Sequence, residues 1–266
     1  MTPFIFREKL ADLKVLRQLV FGSGKGRTHA ERLENFYAPQ AAHYDCFRSR
    51  LLHGRELLMN EVQFPSCGVW VDFGAGTGEN LRLAGNRVCA LNEVHLVDLS
   101  PSLLEVARTS VENLGLRHVH LHHSDACKFE LVEESVDVVT FSYSLTMIPD
   151  WYDAILNAER LLKPGGLIAI TDFYVSRKYP EEGMVQHGAL KRAFWRSWFA
   201  TDNVFLNGDH LAMVLRHFDA DSLLEKTGSV PFLPLLKAPF YVLLARKKVN
   251  DCQSTRQPAA SDIPAA

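Results

Sequence analysis

Val69-Trp70-Val71-Asp72-Phe73-Gly74-Ala75-Gly76-Thr77-Gly78-Glu79-Asn80 is the stretch on which the reading of the chain turns. Its apolar start reads as a buried strand, 69–73, and its three glycines as the turn into a helix, 79–89. Glycine belongs in such a turn because the backbone bends sharply and approaches a ligand closely, which a Cβ obstructs. A nucleotide-type ligand at the carboxyl end of a first parallel strand is the usual consequence. The dinucleotide fingerprint is Gly-x-Gly-x-x-Gly, whereas these glycines stand at every second position and miss that register. A second apolar strand, 94–98, ends in Asp98-Leu99-Ser100. Asp98 stands close to the spacing, about 20 residues past the glycines, at which an acid accepts from both ribose hydroxyls. Its other reading is a helix-capping carboxylate, a role that Ser100-Pro101 fills better.

The glycine turn between two acid-ended strands resembles the first motif of class I S-adenosylmethionine (SAM) methyltransferases, whose cofactor carries no phosphate. The resemblance implies cofactor contacts from Asp72, Gly74, Ala75, Gly76, Asp98 and Leu99. It implies adenine recognition by Asp125-Ala126 after the third strand, and a pocket floor at the end of the fourth that includes Ser142. Tyr37 and Tyr44 look like the N-terminal lid tyrosines that cover SAM in related enzymes.

The chain has 266 residues, 47% hydrophobic and 23% charged, enough to bury a large core in one ordinary globular unit. A formal net charge of −2 argues against a general nucleic-acid binder. The five cysteines, 46, 67, 89, 127 and 252, fit buried thiols in a reducing cytosol better than a disulfide frame. No secretory signal and no uninterrupted membrane span is read, so a soluble, cytoplasmic protein is expected. Residues 4–21 form a roughly helical apolar stripe, and Met1–Arg32 carries seven basic residues against three acidic. That is either a helix packed on the domain or a peripheral membrane helix. Gly22 to Thr28 lacks the spacing of a phosphate loop. His118, His120, His122 and His123 invite a metal reading, but no carboxylate or cysteine completes a plausible site.

Strands alternate with helices: strands 118–122, 136–142 and 167–173, helices 102–114 and 151–162, with a turn at Lys163-Pro164-Gly165-Gly166. A helix over 211–226 then precedes two strands, 229–235 and 240–246, that turn at Lys237-Ala238-Pro239. The expected architecture is α/β and Rossmann-like: a mostly parallel seven-stranded sheet with helices on both faces and a C-terminal antiparallel hairpin. The expected organisation is a helical cap over 1–60, with helices 30–37 and 41–60, then a methyltransferase domain over 61–248. That domain holds a helical lid insertion at about 176–210, and the tail 249–266 is expected to be disordered.

A narrower resemblance rests on Phe141-Ser142-Tyr143-Ser144-Leu145-Thr146-Met147-Ile148-Pro149-Asp150-Trp151, on Leu161 to Gly166 and on Asp172 to Ser176. It continues in His29–Gln40, Tyr44-Asp45, Leu51–Glu56, Trp198–Val204 and Asp209-His210-Leu211, so it covers roughly 29–245. These runs are similar to the betaine-lipid N-methyltransferases, which trimethylate diacylglyceryl homoserine. The resemblance implies a lipid substrate, a peripheral membrane location and a separate aminocarboxypropyl transferase that makes the head group. The chemistry is in-line attack by a neutral amine on the SAM methyl. It needs orientation, removal of the amine proton and, for the cationic products, aromatic faces. Tyr143, Trp151, Trp195, Trp198, Asp202 and His210 form the candidate catalytic set, and no metal is required. The rival readings are a methyltransferase on another small acceptor, of quinone or amino-acid type, and a non-catalytic SAM-binding protein.

Overall fold

The computed structural model describes residues 26–39, 51–201, 203–231 and 233–249. Tyr44, Asp202, the segment 4–21 and the tail from 250 lie outside them. Helices α1 (His29–Tyr37) and α2 (Gly54–Glu61) precede β1 (Val69–Phe73). There follow α3 (Glu79–Ala84), β2 (Glu93–Asp98), α4 (Pro101–Asn113), β3 (Val119–His123), β4 (Val136–Ser142), α5 (Trp151–Leu161) and β5 (Leu162–Phe173). The chain then forms α6 (Ala189–Ala200), α7 (Asp209–His217), β6 (Phe218–Val230) and β7 (Leu233–Lys247).

The seven strands lie in the order β3-β2-β1-β4-β5-β7-β6, parallel from β3 to β5, with β7 antiparallel to both of its neighbours. Each central strand is apolar on both faces, as a sheet covered by helices demands. Trp70 points to one side with Val94 and Ala107, while Val71, Phe73 and Phe141 point to the other with Ile155 and Val214. Strand order reverses between β1 and β4, and the crevice at their carboxyl ends is where such a sheet binds ligands.

Several boundaries differ from the expected ones, among them the turn read at Lys163 to Gly166, which lies inside β5 opposite the irregularity between Val136 and Val138. The helix read over 79–89 stops at Ala84, because Gly85 turns the chain at φ +57° into a 3₁₀ turn, Gly85–Ala90. The helix read over 211–226 ends at His217, and 218–226 is the start of β6. That edge strand is mostly exposed, so it lacks the strict apolar alternation that identifies a half-buried strand. In consequence the hairpin turns between Val230 and Leu233, and Lys237-Ala238-Pro239 lies inside β7.

The histidines gather on the outer half of the sheet. His95 Nδ1 lies 3.0 Å from His122 Nε2, its ring stacks on His120 at 5.4 Å, and Glu93 Oε2 lies 3.3 Å from its Nε2. His118 and His123 bond instead to the carbonyls of Val88 and Leu99. Among the described residues no group of three His, Cys, Asp or Glu could hold a metal ion. Burial, and then neighbouring imidazoles, pull His95 and His122 below the ordinary 6.5. A depressed histidine leaves the unfolded chain binding more protons as pH drops, so this contribution is complete above about 6.5 and lost below it. Buried carboxylates titrate with the opposite sign, so the histidine part is read by difference. His122→Gln is expected to make the fall in melting temperature from about pH 7 to about pH 5 shallower than in the parent. Parallel curves would show that the cluster is not the acid-sensitive element.

Candidate active site

A cleft opens at the carboxyl ends of β1, β2 and β4, where an open α/β sheet places its ligand. Its floor is the glycine loop. Gly74 and Ala75 donate their N–H groups to Val97 O at 2.8 and 3.1 Å, which folds the loop over the end of β2. Gly74 has φ +72°, and a Cβ there would stand 2.3 Å from Ser144 Cβ. Gly76 also has positive φ, but the space beside it is open to 3.9 Å. Gly76 N donates to Asp98 Oδ2 and Ser100 N to Oδ1, both at 2.8 Å, so the carboxylate is fixed in the cleft with one acceptor position per oxygen already used. Burial raises the Asp98 pKa, against the opposing pull of these N–H donors.

Asp125, Ala126, Leu99, Tyr37 and Ser142 also line the cleft. Asp125 Oδ1 accepts from Cys127 N at 2.9 Å, an Asx turn that settles its orientation. Asp72 does not reach the cleft. It is fully buried beneath the loop, where Asn80 Nδ2 donates to both of its oxygens at 3.0 Å and Thr140 Oγ1 donates at 2.6 Å. Burial pushes its pKa up to about 6. Its work is to tie the end of β1 to the first turn of α3, not to touch a ligand.

The opposite wall comes from β4 and the turn after it. Tyr143 leaves the strand at φ +56°, a conformation that a bulky residue keeps only when its surroundings hold it. They do: Tyr143 N donates to Thr171 O at 2.7 Å, and the phenol oxygen accepts from Gly54 N at 2.9 Å. The next turn, Leu145–Met147, is fastened by buried Asp172, which accepts from Thr146 N at 3.0 Å and Thr146 Oγ1 at 2.7 Å. Helix α1 closes the cleft from above. Its Glu34 carboxylate accepts from the hydroxyls of Ser100 and Ser102 at the N-terminus of α4, where a negative charge is favoured. Tyr37 OH donates to Met147 Sδ at 2.8 Å.

Four of the expected catalytic side chains stand elsewhere. Trp195 is buried in the core, separated from Tyr143 by stacked rings: Tyr143–Phe173 at 4.7 Å, Phe173–Phe199 at 4.5 Å and Phe199–Trp195 at 5.6 Å. Trp198 lies outward on the surface of α6, not on the cleft. His210 is 1% exposed against the Trp151 ring, with no polar partner for either nitrogen among the described residues. Burial holds it near 4, so it is neutral, and it does not line the cleft. Trp151 itself is half-buried outside the cleft. Several lining residues were not anticipated: His29, Arg55, Cys127, Met147 and Asp150. Arg55 Nε donates to Ser142 Oγ at 3.1 Å. His29 Nε2 is buried without a partner among the described residues. Cys127 is no nucleophile, because burial pushes its thiol up to about 12.

The donor set suits SAM: an open glycine cradle, a carboxylate with acceptor capacity to spare, and three carboxylates (Asp98, Asp125, Asp150) around a cleft that would take a cation. The chain carries a match to a methyltransferase domain over residues 71–170. Over 150 residues it is 29% identical to the ubiquinone/menaquinone biosynthesis C-methyltransferase UbiE of Pseudomonas savastanoi, a match that covers 54% of this chain and 59% of that one. Over 142 residues it is 29% identical to the demethylmenaquinone methyltransferase of Geobacillus kaustophilus, covering 52% and 61%. The chain thus spans about three fifths of the length of the curated relatives it matches. Among solved structures, the domain superposes on a phosphoethanolamine N-methyltransferase of Haemonchus contortus with TM-score 0.62 and 16% identity, over 85% of this chain and 61% of that one. That likeness is one of fold.

Proposed function

We propose that this protein transfers methyl groups from SAM to the amine of diacylglyceryl homoserine, forming diacylglyceryl-N,N,N-trimethylhomoserine. The observation that carries the reading is the wall of the cleft. Ser142, Tyr143, Ser144, Met147, Ile148, Pro149 and Asp150 line it, and all belong to the run on which the betaine-lipid resemblance rests. SAM supplies an electrophilic methyl on a sulfonium. The chain's part is to bind and orient. Asp98 takes the ribose hydroxyls, Asp125 and Ala126 the adenine, and Gly74 to Gly76 give the methionine end its close approach. Tyr143 presents a neutral phenol, since burial raises its pKa against the opposing pull of the Gly54 N–H donor. In this reading its ring edge and hydroxyl meet the amine as it approaches the methyl, and its π-face contributes roughly 0.5–2 kcal/mol toward the ammonium products. Each transfer moves a methyl from sulfur to nitrogen, and the nitrogen then loses a proton before the next.

Arg55 gives the reading its specificity. It is a permanent cation in the cleft, and a guanidinium matches a carboxylate bidentately. It holds the homoserine carboxylate beside the amine. Arg55→Gln is expected to cut turnover on diacylglyceryl homoserine about 10–100-fold, as loss of a charge-assisted pair of about 1.5–3 kcal/mol implies, with SAM affinity unchanged. A fall in SAM affinity instead would give this cation to the methionine carboxylate of the cofactor.

The quinone names of the relatives favour a second reading, C-methylation of a demethylated quinone. One experiment separates the two. The purified protein is given SAM with diacylglyceryl homoserine or with demethylmenaquinone in detergent, and the products are resolved by mass spectrometry. Mono-, di- and trimethyl lipid with an untouched quinone supports the amine acceptor, and the reverse overturns it.

A further inference from the structure

Helix α6 carries an apolar stripe that the fold leaves uncovered. Leu190 is 89%, Phe194 42% and Trp198 36% exposed, and their spacing of four sets them on one face. Trp195 and Phe199 turn the other way, into the core. The helix holds Lys191, Arg192 and Arg196 and no acidic residue. Lys191 borders the stripe, and none of the three cations pairs with a described carboxylate. Two further large apolar side chains are exposed outside α6. Phe205, 60% exposed, follows α6, and its N–H donates to Thr146 O at 2.8 Å, next to Met147 in the cleft. In the β6–β7 hairpin, Leu236 and Ala238 join the same core cluster as Trp195 and Phe199, while Leu235 beside them is 96% exposed.

We propose that α6 docks the protein on an anionic lipid bilayer. An amphipathic helix with Leu, Phe and Trp on one side and cations beside them lies in the plane of a membrane interface, its apolar face among the upper acyl chains. Charge favours one occupant: the helix holds three cations, one of them (Lys191) beside the stripe, and no acid, which suits anionic head groups better than a neutral apolar partner. No described helix is long and apolar enough to cross a membrane, so the contact is one of surface. The stacked rings from Trp195 through Phe199 and Phe173 to Tyr143 connect this surface to the cleft wall. That this brings a lipid head group toward Tyr143 rests on the acceptor proposed above; the docking itself rests on exposure and charge alone.

Vesicle flotation tests it, with phosphatidylglycerol/phosphatidylcholine vesicles that carry no homoserine head group, so the outcome is independent of which acceptor is methylated. The full chain is expected to float with the mixed vesicles in about 0.05 M salt and to lose most of that binding in about 0.5 M salt or on pure phosphatidylcholine. Leu190→Ser/Phe194→Ser/Trp198→Ser and, separately, Lys191→Glu/Arg192→Glu/Arg196→Glu are each expected to bind at least about tenfold more weakly while keeping the parent's affinity for SAM. Quenching by lipids brominated high on the acyl chain is expected to dim the parent and to spare Trp198→Phe. Undiminished flotation by both triple variants overturns the proposal. So does binding that is lost on deleting residues 1–25 and kept by the variants, or a stripe variant that changes only the oligomeric state.

Discussion

Gly74→Ala is expected to weaken SAM binding about 100-fold or more, near 3 kcal/mol, while Gly76→Ala costs about tenfold or less. Both glycines sit at positive φ, +72° and +57°, and an alanine in that region loses about 1–2 kcal/mol from its backbone alone. The difference comes from what the new methyl meets. At Gly76 the nearest atom is Leu103 Cδ1 at 3.9 Å, an ordinary contact. At Gly74 it is Ser144 Cβ at 2.3 Å, which cannot stand. Ser144 has little room to retreat, because its hydroxyl donates to Phe73 O at 2.8 Å and it follows the strained Tyr143. The loop must therefore move off the end of β2, which breaks the Gly74 and Ala75 bonds to Val97 O and displaces the cradle. Calorimetric titration with SAM on both variants decides this. Equal losses would mean that backbone strain, not the approach of β4, sets the requirement for glycine.

The legible parts of this protein are those where local chemistry and tertiary role coincide. A buried parallel strand announces itself as an unbroken apolar run, and the Gly74 turn as glycine after it, so β1, β2, β4 and the position of the cleft were readable. The place of Asp98 and Asp125 on the cleft was readable too, because Asp98 ends β2 and Asp125 follows β3 by two residues, both at the ligand edge of the sheet. Asp72 has the same local appearance and the opposite placement: it ends β1 by pointing under the loop, where Asn80 and Thr140 receive it. No pattern in one strand distinguishes an acid aimed at a ligand from one aimed at a partner in the next helix. The tryptophans show a related limit. Spacing of three placed Trp195 and Trp198 together, and their rings are 6.4 Å apart, but the core boundary runs between them. Arg55 was hidden for another reason. It is a single cation on a short helix, and the Gly54–Tyr143 and Arg55–Ser142 bonds that tie that helix to the end of β4 join residues far apart in the chain.

Asp98→Ala is expected to lower SAM affinity about 10–150-fold, and Asp98→Asn to do nearly as much. A hydrogen bond to a charged acceptor contributes about 1.5–3 kcal/mol, and a ribose hydroxyl left buried and unpaired costs a comparable amount. The carboxylate has two duties here, and the variants separate them. Its oxygens hold the loop by accepting from Gly76 N and Ser100 N, and their remaining lone pairs face the cleft. Alanine removes both duties, so the loop relaxes and the ribose loses its acceptors. Asparagine keeps the shape and one acceptor oxygen but turns an amide N–H₂ toward either Gly76 N–H or Ser100 N–H. Two donors then face each other, and only one ribose hydroxyl finds a partner. Calorimetry with SAM and with its 2′-deoxyribose analogue makes the test specific. The parent is expected to favour SAM over the analogue about tenfold or more, and the alanine variant to bind both alike. Full discrimination by Asp98→Ala would move ribose recognition to another side chain and leave Asp98 as the clasp of the glycine loop.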